Sequence, residues 1–115
     1  MMKDILKVQK ECCKHYEEEF SPITLEQLVV VSDGVLEGAK PVKGVRYKSP
    51  EHMSGWWLTD DSFNGNIDSL KNIHFSHIIE KRPDLAIYMA LPYGYRFLLG
   101  SNKEHVWFDE MVLND

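Results

Sequence analysis

Apolar residues at positions 5, 8, 12, 16 and 20 recur three or four apart, which predicts an amphipathic helix over residues 3–20. Ile5, Val8, Cys12, Tyr16 and Phe20 form its stripe, with lysines and glutamates opposite. Glu17, Glu18 and Glu19 fall at its C-terminal end, where the helix dipole disfavours negative charge, before Ser21-Pro22 stops it. Leu28-Val29-Val30-Val31 is short and β-branched, as in a buried strand, and Asp33-Gly34 and Glu37-Gly38 mark turns. Residues 42–48 alternate, with Val45 and Tyr47 on one face and Arg46 and Lys48 on the other, and Pro50 ends this second strand. Residues 55–59 make a third, in which Trp56 and Leu58 share one face and Trp57 takes the other.

A polar loop over residues 60–66 follows. Ile67, Leu70, Ile73, His77 and Ile78 then repeat at helical spacing, a helix closed by Pro83. Pro83 can open a second helix over residues 84–91. After the Pro92-Tyr93-Gly94 turn, Tyr95, Phe97 and Leu99 alternate as a fourth strand, and residues 105–111 make a fifth. The order lacks a βαβ rhythm. It predicts an α+β fold: a mainly antiparallel sheet of about five strands, with an N-terminal helix and two central helices packed on it.

The 115 residues fit a single domain, 1–115, with no repeat or linker. Net charge is −5, which argues against nucleic acid or an anionic membrane as the main partner and allows a basic protein partner. Charges within Lys3-Asp4-Ile5-Leu6-Lys7 interrupt any apolar core that a signal peptide needs. Cys12 and Cys13 are adjacent and cannot staple distant parts of the chain. A cytoplasmic location is expected.

Candidate chemistry is sparse. His74 and His77 could share a helix face and a metal, with His52 and His105 completing the set, yet no carboxylate or cysteine stands at ligand spacing. Cys12 and His15 could form a reactive thiol pair, although a free cysteine is more often a small core residue. Ser32, Ser54 and Ser76 lie outside any nucleophile motif, and Asp60, Asp61 and Asp68 read as loop residues rather than paired acid–base carboxylates. No phosphate-binding glycine loop occurs. No metal or cofactor is expected, and no catalytic residue is assigned. The distinctive segment is Trp56-Trp57-Leu58-Thr59-Asp60-Asp61, where aromatic surface runs into negative charge. Such a patch suits a protein contact, with an aromatic anchor and a charged rim. Trp57, Asp60, Asp61 and Glu51 are the contact candidates, with Glu17, Glu18 and Glu19 as a second patch. Trp56, Gly55, Pro83 and Pro92 are assigned to the fold.

Val30-Val31-Ser32-Asp33, Val35-Leu36-Glu37-Gly38 and Pro41-Val42 stand ahead of Tyr47-Lys48 with Pro50, then Ser54-Gly55-Trp56, Asn72, Pro83, Leu91-Pro92, Gly94 and Phe97. In that order they resemble a small bacterial immunity-protein family of polymorphic toxin systems, formerly catalogued as a domain of unknown function. The resemblance covers about residues 29–99 and leaves residues 1–24 as an N-terminal helical extension. Relatives commonly carry Arg where this chain has Lys48, Asp where it has Met53, and Arg after the final Phe where it has Leu98, so an Arg–Asp contact expected in the family is absent here. The resemblance implies a cytosolic immunity protein that binds and occludes a cognate toxin without catalysis of its own. The resemblance does not fix the toxin's activity, and the chain's acidity is compatible with a basic nuclease as the target. The alternatives are a small metal-dependent or hydrolytic enzyme using His74 and His77, and a regulatory or scaffold domain.

Overall fold

The computed structural model describes residues 2–102 and 104–114, with side chains from Asp4 onward; Met1 and Asp115, the ends of the expected domain, lie outside the described residues. The elements are α1 (Met2–His15), β1 (Leu28–Val31), β2 (Val42–Arg46), β3 (Met53–Asp60), β4 (Lys71–His74), α2 (Phe75–Lys81), α3 (Pro83–Ala86), β5 (Tyr95–Leu99) and β6 (His105–Phe108), with short 3-10 turns at Val35–Glu37, Ile67–Ser69 and Glu110–Asn114. The class is α+β, as expected. The sheet has six strands rather than five, in the order β4-β1-β3-β2-β5-β6. It is mixed: β1 and β3 run parallel and the other neighbours are antiparallel. After β1 the chain skips one strand position to lay down β2, and the β2–β3 hairpin then fills the gap beside β1.

Alternation along the strands sends one set of side chains toward the helices and the other away. Val29, Val31, Val42, Trp56, Leu58, Tyr95 and Phe97 join Ile5, Cys13, Phe75, Ile78, Leu85 and Met89 in one core. Every strand residue of that core belongs to the same face, so the molecule has two layers, helices on one side of the sheet only. Burying side chains as large as Trp56, Phe75 and Phe97 stabilises by about 1.5–3 kcal/mol each.

Five expectations about individual elements are corrected. The first helix ends at His15, not at residue 20. Glu17 adopts a left-handed φ of 57°, and the Glu18 N–H donates to the Cys13 carbonyl at 2.8 Å, so the three glutamates lie beyond the helix. Its buried stripe is Ile5, Gln9 and Cys13, one position from the expected one, because Gln9 is fully buried and donates to the Ala86 carbonyl at 2.9 Å. The central helix expected from Ile67 splits into a 3-10 turn, strand β4 and the two-turn α2. Here β1 pairs with β4, Val29 opposite Ile73, and backbone pairing overrides the helical spacing. The last helix and last strand also stop early, at Ala86 and Phe108.

The Ser54-Gly55-Trp56 segment is a bulge. Leu28 pairs with Met53 and Val30 with Trp57, so β3 spends two extra residues against β1. Gly55 sits at φ +90°, and a Cβ there would lie 2.1 Å from the Tyr47 carbonyl oxygen, so only glycine fits. The Ser54 hydroxyl donates to the Leu28 carbonyl at 2.9 Å and accepts from the Trp56 N–H at 3.1 Å, which satisfies groups the bulge displaces. The Trp56 indole N–H donates to the Met89 carbonyl at 2.8 Å, tying sheet to helix layer.

Arg46 lies on the buried face of β2. Its pair mate in alternation, Val45, is half-buried, whereas Arg46 is only 3% exposed and lies on the helix side. Its guanidinium donates to the carbonyls of Ser54, Ser21 and Leu91 at 2.9, 2.7 and 2.8 Å and stacks 4.7 Å from the Tyr93 ring. Among the described residues no carboxylate pairs with it. Desolvation by burial lowers its pKa to about 10, with Tyr93 acting in the opposite sense.

Candidate functional site

The face of the sheet away from the helices carries the candidate site. Registers place Val30, Trp57, Val45, Arg96 and Trp107 side by side in one row across β1, β3, β2, β5 and β6. The next row on this face is Thr59, Lys43, Leu98 and His105. Apart from Val30 these residues are half-buried or exposed, and Trp107 is 41% exposed. Tyr47, just past β2, meets Trp57 edge-on with ring centroids 5.9 Å apart. Two shallow hollows flank the row. One, about 270 Å³, lies between Lys43, Arg96, Leu98 and Trp107; the other, about 380 Å³, lies between Tyr47, Lys48, Ser49 and Trp57. Three strand spacings separate Trp57 from Trp107, about 14 Å. Arg96 is held by Asp109 at 2.9 Å.

The sequence-derived candidates do not converge on one site. Trp57 lies on the open face. Asp60 pairs with Val42 on the opposite face, because β3 runs on through residue 60 and positions three apart in a strand point to opposite sides. Its carboxylate accepts from the Ser32 hydroxyl and, at 2.7 Å, from the Ser62 hydroxyl, while the Asp60 N–H donates to Ser32 Oγ at 2.9 Å. Burial alone would raise its pKa; these hydrogen bonds outweigh it and hold the carboxyl below its usual value. Asp61 is exposed in the loop beyond β3, and Glu51 is exposed in the β2–β3 turn, at opposite ends of the hairpin. Glu17 and Glu19 are exposed on the helix side, and between them Glu18 accepts from the Tyr95 hydroxyl. Sequence reasoning passed over Trp107, Arg96 and Lys43. The alternation of His105-Val106-Trp107 was the available signal, since it sets Trp107 on the face of Trp57 once β5 and β6 are paired.

The catalytic alternatives find little geometry. Burial, the adjacent Cys13 and Glu104 push the Cys12 thiol from 9.0 up to about 12, the reverse of an activated nucleophile. His74 and His77 stack with centroids 6.1 Å apart, and among the described residues no three His, Cys, Asp or Glu side chains gather as a metal site would require. No helix among the described residues is long and apolar enough to cross a membrane.

Fold and face together define a small two-layer α+β domain whose sheet carries a partly exposed aromatic row on the face away from its core helices. The sequence model of the Imm33-like domain matches residues 8–109, from within α1 to just past β6. The chain belongs to the Imm33-like family, and the family's name is that of an immunity protein. Neither the curated proteins nor the solved structures compared with it give a significant match.

Proposed function

We propose that this chain is a cytoplasmic immunity protein that binds a cognate bacterial toxin and neutralises it by covering it, without catalysis of its own. Membership of the Imm33-like family supports the class. The observation that carries the binding mode is the row holding Trp57 and Trp107 on a sheet face that no core helix covers. Tryptophans surrounded by partly polar neighbours are the usual anchors of protein interfaces. Across β3, β2, β5 and β6 the face measures about 20 by 17 Å, or roughly 350 Å². A standard interface takes about 800 Å² from each partner, so this face supplies the centre and the hairpin ends, with Glu51 and Asp61, supply the rim.

The test is co-expression with the adjacent open reading frame, taken as the toxin. The intact protein should restore growth and co-purify with that polypeptide. Trp57→Ala with Trp107→Ala should lose most protection while retaining its fold. Failure of the intact protein to protect would sink the proposal.

A further inference from the structure

The open face and the whole molecule carry opposite charge. Strand-borne charges on the open face are Lys43 and Arg96, with His105 beside them; the one acidic strand residue, Asp60, faces the other way. Lys48, in the hollow beside Trp57, adds a second exposed ammonium, so each hollow pairs a tryptophan with a lysine. Among the described residues neither lysine has a carboxylate partner, whereas Asp109 already neutralises Arg96. The acidic excess behind the −5 charge includes Glu11, Glu17, Glu18 and Glu104, with Glu18 and Glu104 bonded to Tyr95 and Tyr16 on the helix side of the sheet.

Resting on the toxin-binding reading, we propose that the partner surface docking on this face is acidic: carboxylates reach Lys43 and Lys48 around an apolar centre that takes Trp57 and Trp107. The sign of the face governs close contact because the layers stand about 10 Å apart, beyond a Debye length of about 8 Å at physiological salt. The chain-wide charge acts only on distant approach. A nucleic acid fits less well, since a polyphosphate needs many cations and meets here two unpaired lysines on a −5 chain.

Two measurements decide it. Association of the purified adjacent-frame polypeptide is followed at low and high salt with the intact protein, Lys43→Glu/Lys48→Glu, and the control Glu11→Lys/Glu80→Lys, at two exposed residues on the helices. The lysine reversal should slow association about tenfold at low salt, with the effect fading at high salt; the control should not slow it. If the reversal leaves association unchanged or speeds it, while the complex still forms, the acidic partner is refuted and the toxin reading stands. Should no complex form, the toxin reading fails, and the second measurement still tests the face. The free protein is titrated with polyglutamate, polylysine and a short single-stranded oligonucleotide, reading the indole NMR signals. Polyglutamate should move those of Trp57 and Trp107. A response to polylysine or the oligonucleotide alone would overturn the proposal. So would self-association through this face that Lys43→Glu abolishes, because the occupant would then be a second copy.

Discussion

Replacing Arg46 by methionine keeps much of the stem and removes the guanidinium, leaving the carbonyls of Ser54, Ser21 and Leu91 without their donor. Each buried carbonyl so orphaned costs about 1–3 kcal/mol. The losses are not additive, and methionine recovers some apolar packing and removes an unpaired buried charge. A net loss of about 3–5 kcal/mol follows, the range for breaking a buried charged network. For 115 residues that lowers the melting temperature by about 12–20 °C, a large part of a typical total stability of about 5–15 kcal/mol. Arg46→Lys retains the charge but not the fork that spans Ser54 and Leu91, and should lose about 1–2 kcal/mol. Urea unfolding followed by tryptophan fluorescence, with circular dichroism as a second probe, measures both. An Arg46→Met midpoint equal to that of the intact protein would refute the reasoning, because the network would then contribute nothing over its desolvation cost.

Two further outcomes are expected. Trp56→Ala should lose about 3–5 kcal/mol and Trp57→Ala under 1 kcal/mol in the same urea assay, since only Trp56 is fully buried in the core; equal losses would show that the open face is part of the folding core. The depressed Asp60 carboxyl contributes stability in full above the unfolded value of about 3.9, and that contribution disappears as pH falls through its lower folded value. The stability gap between the intact protein and Asp60→Asn should therefore narrow below about pH 4, and a gap that stays constant down to pH 2 would contradict it.

Much of the fold was legible where a single period ruled. The Trp56–Trp57 alternation, the β-branched 28–31 run and the prolines at 83 and 92 each state one local preference, and tertiary structure agrees. It was illegible where a polar residue does core work. Gln9 and Arg46 are buried through hydrogen bonds to carbonyls supplied by distant segments, and no local pattern announces those. Strand β4 was hidden for a different reason: it is a four-residue edge strand with one inward apolar residue, Ile73, which also fits a helical repeat with Ile78. The candidate site was half visible. Trp57 was recognisable, but its neighbours are set by register: Val45, Arg96 and Trp107 lie 12 to 50 positions away in sequence, and Asp60, three positions away, faces the opposite layer.

The bulge at Ser54-Gly55 fixes the phase of β3, so that Trp56 is committed to one layer and Trp57 to the other. Mutational drift can therefore act on the two faces separately. Replacements at positions 43, 45, 57, 96, 98 and 107 alter what the sheet meets without touching the seam beneath the helices. A lineage under pressure to follow a changing adversary can rewrite that outer surface one side chain at a time, and keep folding throughout.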